Sequence, residues 1–171
     1  MLTPAYIIGQ IIGVIAVAGT FVSYQTKTQK QLLIVNMIAT ALFCVHYMLL
    51  GASSGMVLNL FAILRNIIYC NRSRKPLDHP SVPYILGFII MILGATSWQG
   101  WYSLFIIVGL VINTVAMSFE DNQLIRKSIL LTSSLILIYN LFIFSVGGVI
   151  NETVAITSAV VGILRTRKAN S

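Results

Sequence analysis

Residues 47–59 read YMLLGASSGMVLN, and residues 139–151 read YNLFIFSVGGVIN. At an offset of 92 they share Tyr47/Tyr139, Leu49/Leu141, Ser53/Ser145, Gly55/Gly147, Val57/Val149 and Asn59/Asn151, six identities in thirteen positions. Upstream, Gln31/Gln123, Leu32/Leu124 and Thr40/Thr132 keep the same register. Apolar composition produces chance Leu and Val matches, but it does not place Tyr, Gly and Asn in one register. The chain carries an internal repeat.

The 171 residues are 57% hydrophobic and 9% charged, with a mean hydropathy of +0.91. Soluble domains carry about 25% charged residues. So little charge cannot cover a water-facing surface. This excludes an ordinary soluble enzyme, a disordered chain and a secreted disulfide scaffold, and leaves a multi-span membrane protein. Apolar runs suited to crossing a bilayer fall at 5–23, 31–50, 54–70, 82–97, 100–118, 123–144 and 147–165. The fourth is the weakest, although Pro83 suits a first helical turn and Ser81 an N-cap. A six-helix alternative lays 82–97 in the membrane interface.

Charge placement decides between seven and six. Of eleven Lys and Arg, ten lie between or beside the apolar runs: Lys27, Lys30, Arg72, Arg74, Lys75, Arg126, Lys127, Arg165, Arg167 and Lys168. Seven crossings put all ten on one side, whereas six split them. The positive side is cytoplasmic, so the N-terminus is expected outside and the C-terminus inside. The net charge of +7 thus reads as membrane topology, with no nucleic acid as partner. No basic residue precedes the first run, which is read as a retained helix rather than a secretory signal. Cys44 and Cys70 have no CxxC spacing and read as small apolar residues, with no metal site.

The expected fold is all-α and membrane-integral. Two parallel three-helix repeats, at 1–75 and 100–171, are joined by a linker helix within 76–99. Three helices reverse the chain direction and a fourth restores it, so the two repeats run parallel. Parallel repeats are a transporter pattern, with the solute site where they meet.

This 3+1+3 layout resembles the SWEET sugar transporters and the half-size SemiSWEETs of the PQ-loop superfamily. GVIAVAGTFVSYQTKTQK resembles their first helix and PQ loop, and HYMLLGASSGMVLNLFAIL their aromatic-to-Asn stretch. The resemblance implies that Asn59 and Asn151, one from the third helix of each repeat, face a central pocket. Tyr24 stands where the motif Pro would be, and Cys44 and Ile136 where a pocket Trp is frequent. More closely, GVIA, VHYMLLG and FAILRN are similar to the YgjV-type bacterial inner membrane family, whose recurring positions take in His46, Gly51 and Arg65.

Candidate site residues follow from polarity inside apolar runs. An intramembrane amide must find partners, and Asn59 and Asn151 offer donors and acceptors that read hydroxyls. The competing reading is two packing amides that bond each other or the backbone. Asn66 shares the Asn59 helix face and would line the same path nearer the cytoplasm. Tyr47 and Tyr139 read either as belt aromatics or as an outer gate. Glu152 is the only acid inside a run, and His46 titrates near neutral pH, so the two could couple a proton to transport. Their alternative is two unrelated interfacial groups. Arg65 can snorkel to the cytoplasmic surface, or attract anions in the inner half of the path. Gln10 and Asn113 are further polar groups, and Trp98 and Trp101 suit interface anchors. Gly9, Gly13 and residues 16–19 give the first run a narrow face.

No HExxH, GxSxG, Walker A or paired intramembrane acids occur, so no catalytic residue and no cofactor is expected. The reading is a bacterial inner-membrane permease for a small polar, sugar-like solute, a lipid-embedded protein for which a homo-oligomer is plausible. Its rivals are a PnuC-like vitamin or nucleoside transporter and a non-transporting protein that binds a lipid or protein partner.

Overall fold

In the computed structural model of the chain, residues 3–24, 29–71, 76–119 and 122–169 are described. Seven helices follow one another: α1 (Pro4–Tyr24), α2 (Gln29–Leu49), α3 (Ser53–Cys70), α4 (Val82–Thr96), α5 (Ser103–Ala116), α6 (Asn122–Phe142) and α7 (Val146–Ala169). Lys27, the basic cluster at 72–75 and the acids Glu120 and Asp121 lie outside the described residues, as do the side chains of Lys30, Arg165, Arg167 and Lys168.

Local chemistry explains the helix ends. Thr3 Oγ1 accepts from the Tyr6 amide at 3.2 Å and caps α1, and Pro4 fills its first turn. Ser81 precedes α4 as expected, but its side chain makes no capping bond. It sits in helical φ/ψ, and its amide instead donates to His79 Nδ1 at 3.2 Å.

The helices turn polar groups inward and apolar groups outward. Ile8, Ile11, Phe21, Ile38, Leu60, Phe88 and Leu131 are among the large exposed hydrophobics, while Thr20, Ser23, His46, Asn66, Thr114, Asn140 and Glu152 are buried. A water-facing protein shows the reverse. Four described helical segments are long and apolar enough to cross a membrane: Pro4–Ser23, Ser53–Cys70, Leu124–Phe142 and Val146–Leu164. The apolar segments Ile34–Leu49, Val82–Thr96 and Ser103–Ala116 are shorter.

Among the described residues α2 lies between α1 and α3, and α6 between α5 and α7. The triplets meet where α1 packs on α7 and α3 on α5, while α4 lies against α5 and α3. Close backbone approach holds these seams. A Cβ on Gly147 would stand 2.7 Å from the Gly13 Cα, so α1 and α7 touch through glycine. A Cβ on Gly13 would stand 2.7 Å from the His46 ring, so its absence makes room for that imidazole on α2. The starts of α1, α3, α5 and α7 and the ends of α2, α4 and α6 gather at one end of the bundle, linked by His46–Gly9, Ser54–Ser97 and Ser54–Ser103 contacts. We call this the turn end.

The α2–α3 and α6–α7 turns share a backbone pattern. Leu50 N–H donates to the His46 carbonyl, Gly51 to Met48, Ala52 to Tyr47, and Met56 to Ala52. In the second turn Ile143 donates to Tyr139, Phe144 to Leu141, Ser145 to Asn140, and Val149 to Ser145. Each pair lies 93 residues apart, one more than the register of best sequence identity. The left-handed residues, Gly51 at φ 70° and Phe144 at φ 53°, also correspond at 93. The backbone counterpart of Asn59 is therefore Glu152 rather than Asn151, and that of Tyr47 is Asn140 rather than Tyr139. This corrects the register read from side-chain identity.

Candidate functional site

A cavity of ≈ 90 Å³ opens between the triplets, lined by Phe43 and Tyr47 of α2, Asn59 of α3, Ile106 and Leu110 of α5, Ile136 of α6, and Asn151 and Glu152 of α7. On α3, Asn59 Nδ2 donates to the carbonyl of Gly55, one turn earlier, at 2.8 Å. Asn151 Nδ2 donates to Glu152 Oε1 at 3.0 Å, and the buried Ser133 hydroxyl of α6 is a second partner of that carboxyl. Glu152 is only 8% exposed and does not reach out to water, as a position near a helix end would allow. Each neighbouring amide spends one of its two N–H groups on the protein, which leaves a second N–H and the carbonyl oxygen of Asn59 and of Asn151 for a guest.

The turn-end side of the cavity is a polar network across the two triplets. Tyr47 O–H donates to Asn140 Oδ1 at 2.8 Å, joining backbone counterparts. Tyr139 is wholly buried outside the cavity lining, where its oxygen accepts from the Gly55 amide at 2.9 Å. The Tyr47 and Tyr139 rings meet edge to face at 6.3 Å. His46 is wholly buried, with Nδ1 at 2.7 Å from the Gly9 carbonyl and Nε2 at 2.6 Å from Ser145 Oγ. A carbonyl only accepts, so Nδ1 carries the proton and a neutral ring accepts from Ser145 through Nε2. Ser145 Oγ also accepts from Gly148 N–H at 3.0 Å. His46 and Glu152 make no bond to each other: His46 bonds Gly9 and Ser145, and Glu152 bonds Asn151.

Two glutamines clamp this end reciprocally. Gln10 of α1 donates from Nε2 to the Phe144 carbonyl at 2.7 Å, and its Oε1 accepts from Val146 N–H at 3.0 Å. Gln99, just before α5, donates from Nε2 to the Gly51 carbonyl at 2.7 Å, and its Oε1 accepts from Ser54 N–H at 3.2 Å. α1 and the α4–α5 turn thus satisfy exposed amides and carbonyls of the α6–α7 and α2–α3 turns.

Away from the turn end, Arg65 does not snorkel. It is 5% exposed and donates from Nη1 to Asn113 Oδ1 at 2.9 Å and Thr114 Oγ1 at 3.1 Å. Nε and Nη2 donate to Asn66 Oδ1 at 3.3 and 3.1 Å. Asn66 Nδ2 in turn donates to Asn36 Oδ1 at 3.1 Å. Asn66 therefore lies beyond the cavity lining, with its amide committed to Arg65 and Asn36.

A model of the bacterial inner membrane protein family Imp-YgjV matches residues 7–170. The chain belongs to this family. No curated protein and no solved structure matches it. Membership makes this Imp-YgjV chain an inner-membrane protein of bacteria, in accord with its apolar outer faces. In this family member, sequence reasoning missed Asn140, Ser145 and Gln99 as parts of the network. Ser145 carried a signal as a repeat identity, and Gln99 as an amide between two tryptophans at a helix turn. Asn140 carried one as an amide inside an apolar run, although its partner Tyr47 lies 93 residues away. Its Nδ2 is buried without a hydrogen-bond partner.

Proposed function

We propose that this protein is a permease that carries a small polar solute by rocking α1–α3 against α5–α7. Seven helices cross the bilayer in this reading, with the N-terminus and the turn end outside and the C-terminus cytoplasmic, as the one-sided basic residues favour. The 3+1+3 order and its likeness to SWEET transporters belong to the same proposal, as does the absence of catalysis. One observation carries it: polar groups from both triplets, Asn59 on one side and Asn151 with Glu152 on the other, meet in a cavity inside an apolar bundle. Intramembrane polar groups at a repeat interface are where transporters hold solute. At ≈ 90 Å³ the cavity takes a few waters, since each occupies about 30 Å³. Drug-sized ligands need roughly 300 Å³ or more, so a sugar-sized solute requires the triplets to part. Parting them on the outside means breaking the two glutamine clamps and the Tyr47–Asn140 bond.

The test is a thermal-shift screen of the detergent-purified protein with sugars, polyols, nucleosides, vitamins and amino acids, repeated on Asn59→Ala/Asn151→Ala. A solute at 100 times its Kd stabilises by about 2.7 kcal/mol. A hit lost in the double variant supports the reading. The absence of hits, or hits indifferent to both amides, overturns it in favour of a partner-binding role.

A further inference from the structure

Arg65 is a buried cation with no acid bonded to it among the described residues. Asp78 and Glu152 are the only acids among the described residues. Asp78 lies in the α3–α4 loop, and the Glu152 carboxyl bonds Asn151 and Ser133. The Arg65 cradle of Asn66, Asn113 and Thr114 is entirely neutral. Three amide or hydroxyl oxygens supply dipoles, yet they leave the charge itself uncompensated in a low-dielectric site. A cradle built only to hide an arginine would be expected to include an acid.

The hydrogen-bond inventory points the same way. A guanidinium has five N–H groups. The described residues take one from Nε, two from Nη1 and one from Nη2, which among them leaves one Nη2 proton for a guest. The site neighbours the cavity along α3 and α5. Leu110 lines the cavity one turn before Asn113 and Thr114 on α5, and Asn59 lines it about 9 Å before Arg65 along α3, at 1.5 Å per residue.

We propose that Arg65 binds a carboxylate, and that the solute is a small monocarboxylate whose polar remainder faces Asn59 and Asn151. One uncompensated positive charge and one free N–H match a singly charged group better than a dianionic phosphate. The assignment of this carboxylate to a transported solute rests on the permease reading, while the anion site itself is tested separately.

The probes are sodium formate and sodium acetate, added to protein in an uncharged detergent, against acetamide, sodium chloride and sodium phosphate at equal ionic strength. At ten times its Kd, acetate should raise Tm by about 3–6 °C, saturably. Acetamide, chloride and phosphate should not. Arg65→Gln should abolish the acetate response. Because Arg65→Gln can fail to fold, Asn113→Asp provides the independent check: it keeps the arginine, supplies the missing acid and should occupy the site from within. It should fold, resist heating at least as well as wild type and no longer respond to acetate. No acetate response in wild type, an equal response to acetamide, chloride or phosphate, or a response that persists in Asn113→Asp overturns the proposal. Acetate has no polar remainder to face the amides, so its response should survive Asn59→Ala/Asn151→Ala whether or not the pocket reading holds.

Discussion

The α2–α3 and α6–α7 turns make the same backbone hydrogen bonds, yet they reach the left-handed conformation with opposite residues. Gly51 does so at φ 70° without a side chain to clash. Phe144 does so at φ 53°, where an L-residue costs roughly 1–2 kcal/mol. The second turn is the more heavily held. The Phe144 carbonyl accepts from both Tyr6 O–H at 2.9 Å and Gln10 Nε2, whereas the Gly51 carbonyl accepts from Gln99 alone. The comparison teaches that turn geometry is shared while its support is not. A strained turn on one side is stabilised by α1, an element of the opposite triplet.

The same offset separates frame from chemistry. At 93 residues the counterparts Tyr47 and Asn140 bond each other, and Asn59 faces the cavity with Glu152 as its mate. Arg65 corresponds to Ser158, so the guanidinium cradle exists on one side only. The halves agree where backbones must bend and differ where charge sits. Such a bundle is electrically asymmetric.

Four sets of substitutions put this comparison under strain. The largest effect is expected at the glycine seam. Gly147→Ala drives a Cβ into the Gly13 backbone, which cannot swing aside, so a loss of about 3 kcal/mol or more is expected in thermal or denaturant unfolding. If Gly147→Ala melts with wild type, the close α1–α7 approach is wrong.

Next comes the register. Asn59→Ala and Glu152→Ala, as backbone mates, should each weaken solute binding by about 1.5–3 kcal/mol, or roughly 10–100-fold. Asn151→Ala should act less, through its bond to Glu152. Titrations of a solute from the screen would separate the two registers: Asn151→Ala equal to Asn59→Ala, with Glu152→Ala silent, restores the offset of 92.

The clamps rank third. Gln10→Ala and Gln99→Ala each remove two hydrogen bonds, worth about 1–2 kcal/mol together. In the permease reading, both should also raise the reactivity of a cysteine placed at Asn59 toward a membrane-impermeant thiol reagent, measured in a background where Cys44 and Cys70 are replaced by Ala. Unchanged labelling in both would show that the clamps do not close the path.

The smallest effect concerns the turns themselves. Phe144→Gly should stabilise by about 1 kcal/mol through relief of φ strain, since that side chain is 73% exposed and buries little. Gly51→Ala should destabilise by about the same amount, with open space around its Cβ. Equal and opposite shifts in Tm would confirm that the residue at the left-handed position sets the conformational cost of each turn.

The sequence by itself determined the number and type of elements and the medium they occupy. Runs of apolar residues broken by Lys and Arg leave helices as the backbone's route to internal hydrogen bonding, and all seven runs are helices within a few residues of their expected bounds. It also marked Asn59, Asn151, Tyr47 and Glu152, because a polar side chain in an apolar run must find a partner or a guest. Only the tertiary structure decided who those partners are. Tyr47 meets Asn140, His46 meets Gly9 and Ser145, and Arg65 meets Asn113 and Thr114, over separations of 37 to 99 residues. The register moved by one residue for the same reason. Side-chain identity counts letters, whereas the turn is set by which residue enters the left-handed region and which side chains of the opposite triplet hold its carbonyl there.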